Sequence, residues 1–293
     1  MFEQQLLNAL TLGSVYALFA LGFTLVFGIL AVINLSHGAV FMVGSYTALV
    51  VVTHFNAPLW LGFVVATLVS GLLGLAVDVL ILKPLRARGA PHLIPMIATI
   101  GVAITLTSTA QGLFGAEMQR FPEHILPAGE FVVGKVHVQV LEIAIVAIAF
   151  VLMAILFLVI KRTQLGRALR AIAESPRAAY LLGINVEGLF HFTSFVAAAL
   201  GGVAGVLIGL DFNAITPFMG EPILHKGIAV IILGGMGDIR GALIGGLFLG
   251  FTEVFSKGYL SSQMGDAVAF GLLFLILLVR PSGLFGRVLE RKA

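Results

Sequence analysis

A succession of apolar stretches, several of them long enough to cross a lipid bilayer, constrains this chain more than any other feature. They cover roughly residues 6–30, 36–53, 58–82, 92–114, 139–160, 186–210, 222–256 and 263–279. A helix rising ~1.5 Å per residue needs about 20 residues to span ~30 Å of hydrocarbon. The stretches are rich in Leu, Ile, Val and Phe, and they lack the alternating polarity of transmembrane barrel strands. Charge is sparse as well: 11% of the 293 residues are charged and 59% are apolar, whereas a soluble domain is about a quarter charged. So few charges cannot cover a surface that faces water, and lipid must be the solvent around most of the chain. The expected fold is an all-α integral membrane protein, a single domain over 1–293, with about eight to nine spans and broken helices.

The start, Met1-Phe2-Glu3-Gln4-Gln5, lacks the basic region of a secretory signal, so the first stretch is expected to be retained. The chain has no Cys, which excludes a disulfide framework, a thiolate metal site and a thiol nucleophile. A net charge of +3 is too small to suggest nucleic acid as a partner.

Where the positive charge sits is more informative. Lys83, Arg86 and Arg88 follow the third stretch. Lys161, Arg162, Arg167, Arg170 and Arg177 follow the fifth, and Arg280, Arg287, Arg291 and Lys292 form the tail. Loops of this kind share the cytoplasmic side. The loop 115–138, with Glu117, Arg120, Glu123, Glu130 and Lys135, then faces outward. An even number of crossings between the second cluster and the tail requires 222–256 to be two helices, 222–234 and 241–256, split at Gly234-Gly235-Met236-Gly237-Asp238-Ile239-Arg240-Gly241. The same parity puts the N-terminus outside. Asn34-Leu35-Ser36-His37-Gly38-Ala39 and Asp238-Ile239-Arg240-Gly241-Ala242 echo one another as polar breaks that lead into small residues. Paired broken helices point to a transport pathway.

Several polar groups stand out. Residues 165–174 form an amphipathic helix, with Leu165, Leu169 and Ile172 on one face and Arg167, Arg170 and Glu174 on the other. Pro176 ends it. So short a helix needs a surface to dock on, either a groove on a cytoplasmic partner or the lipid headgroups. Asn34, Ser36 and His37 are either intramembrane functional groups or a cytoplasmic turn in which Ser36 caps the next helix. Asp78 is placed to pair with Lys83. Asp238 and Arg240 either pair locally or line a gate. Tyr16 and Tyr46 lie inside spans and line the pathway or bond between helices. Asp211, Asn213, Thr216 and Glu221 fall in an outer connector. His37 has no metal-ligating companion one turn away. Intramembrane acids are few, and Asp78, Glu142, Glu253 and Asp266 sit near the ends of stretches. A secondary transporter or channel would need more, and a structural subunit would not need the amphipathic helix.

The segments Gly13–Gly22, Asn34-Leu35-Ser36-His37-Gly38, 166–183, Gly234-Gly235-Met236-Gly237 and Arg280-Pro281-Ser282-Gly283-Leu284-Phe285-Gly286 together resemble the bacterial branched-chain amino acid permeases of ATP-binding-cassette importers. The resemblance spans the chain and, by its length, is to the smaller of the two paired permeases. It implies a location in the bacterial inner membrane. It also implies partners: a second permease, two cytoplasmic ATPases and a periplasmic substrate-binding protein. Loop 161–185 would be the coupling loop, with Gly166, Arg167, Arg170, Glu174 and Gly183 the residues that engage an ATPase. Leu, Ile and Val would be the substrates, although related systems carry other amino acids, amides or urea. The chain has no Gly-x-x-x-x-Gly-Lys-Ser/Thr phosphate loop and no nucleophile elbow or His-Glu-x-x-His. Neither catalysis nor a bound cofactor is expected of it, and ATP and Mg2+ would be used by the partner ATPases.

Overall fold

The computed structural model describes residues 2–91, 93–122, 125, 129–133, 136–280 and 283–285. In chain order the helices are α1 (Phe2–Leu30), α2 (His37–His54), α3 (Leu59–Val77), α4 (Lys83–Ala87), α5 (Leu93–Phe114), α6 (Val140–Arg162), α7 (Gln164–Glu174), α8 (Pro176–Leu181), α9 (Val186–Asp211), α10 (Gly220–Gly234), α11 (Ile239–Tyr259) and α12 (Gly265–Val279). A π-helical turn, Asp78–Leu82, joins α3 to α4. Among the described residues seven helices are long and apolar enough to cross a membrane, while α10 and α12 have 15 residues each. Among the described residues the one sheet is an antiparallel hairpin, β1 (Glu130–Val133) and β2 (Val136–Gln139), in register Glu130 to Gln139. Glu123, Lys135, Pro281, Ser282, Gly286, Arg287, Arg291 and Lys292 lie outside the described residues.

The expected split of 222–256 is present, between Gly234 and Ile239. The reason is backbone geometry. Gly235 and Gly237 take φ of 99° and 89°, a region that side-chain-bearing residues rarely adopt. The turn lets the backbones of Gly234 and Gly241 lie against one another. The end of α10 is then capped by the chain tail: Leu284 N–H donates to the Leu233 carbonyl at 2.7 Å and Phe285 N–H to the Gly234 carbonyl at 3.1 Å. These bonds satisfy carbonyls that a helix C-terminus leaves free.

The core has an internal order that the sequence echo did not capture. A long helix α1 leads through a non-helical break, 31–36, to α2 and then α3. A long helix α9 leads through a break, 212–219, to α10 and then α11. Each break opens near a left-handed residue, Ala31 (φ 55°) in the first and Asn213 (φ 44°) in the second. The most extensive helix contacts are α1 with α11 and α3 with α9, each pairing the long helix of one unit with the third helix of the other. The basic clusters put the C-terminal end of α1 and the N-terminal end of α9 on the cytoplasmic side, so the two units run in opposite directions as an inverted repeat. The true counterpart of 34–39 is thus 212–219. The turn at 238–242 corresponds instead to Phe55-Asn56-Ala57-Pro58, between α2 and α3.

Small residues set the spacing. Gly202 faces Ser70 of α3, Gly205 faces the Phe41 carbonyl of α2, and Gly246 faces Ala17 of α1, with no room for a Cβ at any of them. Lipid tails are as apolar as Leu, so close backbone approach is what holds such helices together. By contrast, nothing lies within 4 Å of a Cβ placed on Gly101 in α5. Gly202→Val is therefore expected to lower the thermal unfolding midpoint in detergent by an amount equivalent to about 1–3 kcal/mol, while Gly101→Val leaves it nearly unchanged. Equal shifts in the two variants would refute the packing assignment.

Candidate functional site

Two helices of the inverted repeat begin beside each other inside the bundle. Gly38, in the first turn of α2, lies against the Gly220 carbonyl and Leu224, and Gly220, the first residue of α10, lies against the Gly38 carbonyl. Neither helix has a side-chain cap. His37 and Glu221 N–H bond the Asn34 and Phe218 carbonyls and Pro222 has no N–H, so the N–H groups left at the two starts are those of Gly38, Ala39 and Gly220, which face one region with the positive ends of two helix dipoles.

A cavity of about 460 Å³ opens there. Leu35, Gly38 and Ala39 line it from α2 and the break before it, and Gly220, Glu221, Leu224 and His225 from α10. The third wall is α5, which presents Ile100 and Ile104 below a polar group of Thr107, Ser108 and Gln111. The volume lies within the range of small-molecule sites, about 300–1,000 Å³. Its apolar walls and few convergent polar groups also suit such a site. α5 is lightly held, with Ile97 and Ile104 each 61% exposed.

None of the seven residues singled out as pathway or gate candidates lines this cavity. The Asn34 side chain accepts from Ser36 N–H at 3.1 Å and from the Ser36 hydroxyl at 2.6 Å, folding the break before α2. Ser36 occupies the N-cap position but makes no capping bond. Both are buried, so the segment is no exposed cytoplasmic turn. His37 packs between Phe19 and Phe23, with ring centroids at 4.7 and 5.5 Å, and against Gly22 and Gly201. Tyr46 stacks on Phe114 at 4.4 Å, and its hydroxyl has no partner among the described residues. Asp238 caps α11 by accepting from Arg240 N–H at 2.7 Å and Gly241 N–H at 3.1 Å, while Arg240 itself is exposed.

Tyr16 belongs to a charged cluster that the sequence did not show. Its hydroxyl donates to Glu253 at 2.9 Å and accepts from Lys226 at 3.0 Å. Lys226 reaches Glu253 at 2.7 Å and Asp266 at 3.0 Å, and Lys257 reaches Glu253 at 2.6 Å. Glu253, six residues before the end of α11, is buried at 1% exposure. Asp78 likewise departs from expectation: it pairs with Arg86 at 2.7 Å and His191 at 2.6 Å, not with Lys83. The π-helical turn at Asp78–Leu82 precedes α4, which carries Arg86, eight residues on from Asp78.

The amphipathic helix is present as α7, with its apolar face turned inward. Leu169 and Ile172 are buried in the protein's own core. Gly166 sits against the Val159 and Ile160 carbonyls, its N–H donates to the Thr163 hydroxyl at 3.1 Å, and Arg170 donates to the Ile160 carbonyl. The apolar face thus seats neither on headgroups nor in a partner's groove. Exposed along this loop are Arg167, Arg170, Glu174 and Arg177, followed by an apolar run, Tyr180, Leu181 and Leu182, each at least 71% exposed, before the left-handed Gly183.

The family described as "Branched-chain amino acid transport system / permease component" matches residues 5–277. The chain belongs to that family. It is 39% identical to the high-affinity branched-chain amino acid transport system permease protein BraD of Pseudomonas aeruginosa, over 98% of this chain and 96% of that relative. It is 37% identical to LivH of Escherichia coli K12 with the same coverage. A lower likeness, 22% over 94% of this chain and 68% of the other, is to LivM of Salmonella typhimurium. No solved structure matches. The protein is a transport component and a multi-pass protein of the bacterial inner membrane.

The charged cluster yields a prediction. Removing one partner of a buried ion pair leaves the other uncompensated, at a cost of about 3–5 kcal/mol, whereas an apolar pair is tolerated. Glu253→Leu should lower the unfolding midpoint strongly, and adding Lys226→Met should recover at least half of the loss. A double variant no better than the single one would show that the pairing is not what holds these helices.

Proposed function

We propose that the chain, paired with a second permease, forms the path of an ATP-driven importer that moves branched-chain amino acids into the cell. The observation that carries this reading is the cavity at the two uncapped helix starts. Helix N-termini attract anions, and at Gly38 and Gly220 they suit the carboxylate of a zwitterion. Glu221 is placed to take the ammonium group, and Ile100, Ile104, Leu224 and Ile228 offer an apolar wall to an aliphatic side chain. In transporters built on inverted repeats, discontinuous helices near the midplane hold the substrate in this way.

The exposed surface of Arg167, Glu174 and Tyr180–Leu182 would receive one of two cytoplasmic ATPases. Gly166 and Arg170 would lock α7 to α6 so that a push there moves the bundle as a body. A periplasmic binding protein would deliver substrate from outside. ATP and Mg2+ would be used by the ATPases, with no cofactor on this chain. The names of the relatives BraD and LivH support the branched-chain assignment.

In proteoliposomes holding the full complex, Ser108→Trp should fill the cavity and cut leucine uptake at least tenfold while the subunits still co-purify. Glu174→Ala should reduce substrate-stimulated ATP hydrolysis several-fold without loss of assembly. Uptake by the chain alone without ATP would overturn the importer reading.

A further inference from the structure

A second pair of cavities lies on the other side of the bundle, where α6 stands away from α3 and α9. One, of about 230 Å³, is lined by Leu156, Val159, Leu169 and Phe192 among others. The other, of about 400 Å³, is lined by Trp60, Phe63 and Ile148 among others. They share Leu152, Val196 and Leu200 and so form one continuous slot. Its polar side chains are Thr67, Thr193 and the indole of Trp60, and both hydroxyls already donate within their own helices, to the Phe63 carbonyl at 2.7 Å and the Leu189 carbonyl at 2.8 Å. So few and scattered, these groups give water no site with the two to four partners that ordered water needs.

We propose that this slot holds one acyl chain of an anionic phospholipid from the cytoplasmic leaflet. Its length fits. Along α6 it runs from Ile148 to Ile160, about 18 Å at the helical rise, against ~15 Å for half the hydrocarbon layer. Its mouth fits a negative headgroup. Ile160 is followed by exposed Lys161 and Arg162, and Arg170 bonds back to the Ile160 carbonyl. No acidic residue lines either cavity. Basic side chains at this depth attract anionic headgroups. The bound chain would touch Leu169, the buried apolar anchor of α7, so this lipid supports the very helix that faces the cytoplasmic partners.

Trp60, the sole tryptophan of this chain, already lines the larger cavity; Trp60→Phe with Phe192→Trp moves this chain's one indole to the smaller cavity nearer α7, and Trp60→Phe alone gives the background from partner subunits. The assembled transporter carrying this chain would be reconstituted in vesicles with increasing brominated phosphatidylglycerol or brominated phosphatidylcholine. The proposal expects half-maximal quenching at a mole fraction about tenfold lower for phosphatidylglycerol, and expects Lys161→Gln with Arg162→Gln to bring the two curves together. Equal curves for the unaltered basic residues would mean ordinary annular lipid. Absence of quenching by either would mean that a helix of a partner fills the slot. Both results overturn the proposal. Native mass spectrometry of the unsubstituted chain supplies an independent arm: retained phosphatidylglycerol should fall several-fold with Lys161→Gln and Arg162→Gln, and unchanged retention would also overturn it.

Discussion

Two helices start inside the hydrocarbon layer, and that single constraint organises the rest of the bundle. Backbone polar groups have no water to turn to there, and each one left unmade costs several kcal/mol. Irregular backbone at such depth survives only where protein covers it or where it lines a cavity. Both solutions occur here. The break before α2 is covered: Asn34 bonds Ser36 twice, and Leu35 N–H donates to the Thr99 hydroxyl at 3.1 Å. The break before α10 is pinned by a two-way bridge between Gln119 and Ile215 and by Asn213 accepting from Phe121 N–H at 2.8 Å. The first turns of the two helices are left uncapped and open on the cavity.

Holding two helix ends in register requires the long helices around them to be rigid. Glycine-to-backbone contacts along α1–α11 and α3–α9 do this without directional bonds. Charged clusters add direction at two places, Lys226 with Glu253 in one half and Asp78 with Arg86 and His191 in the other. Lys226 is on α10, next to His225 in the cavity wall, so the cluster that ties α10 to α1, α11 and α12 also fixes the angle at which α10 meets α2. Buried ion pairs are poor sources of stability but good sources of a unique register. That fits an element whose exact placement decides what the cavity presents.

On the cytoplasmic side, α7 is fused to the bundle by Gly166, Leu169, Arg170 and Ile172. A force on its outer face therefore reaches α6 and α1 through packed side chains rather than through a flexible loop. Interiors at crystal-like density transmit such displacements with little loss. The apolar slot beneath Leu169 is a soft place in that path, so what fills it would change how stiffly α7 is held.

The spans themselves were legible in the sequence, because a segment of lipid-facing or bundle-facing helix must be apolar along ~20 residues whatever its neighbours. The split after Gly234 was legible too, since Gly235 and Gly237 mark left-handed backbone and charge parity demanded a turn. The 3.6-residue period disclosed α7 but not which way its apolar face turned, because a groove on a partner, a lipid surface and the protein's own core all ask for the same stripe. Nor could the sequence reveal the second broken helix, whose break at 212–219 carries only Asn213, Thr216 and Pro217 as signals and reads as an ordinary connector between two spans. The side chains that meet across the bundle come from remote parts of the chain: Tyr16 and Lys226 are 210 residues apart, and Asp78 and His191 are 113 apart. Solvent preference and local backbone geometry are written in short stretches of residues. Which faces and which ends meet is decided by helices packing in pairs, and only the tertiary structure holds that information.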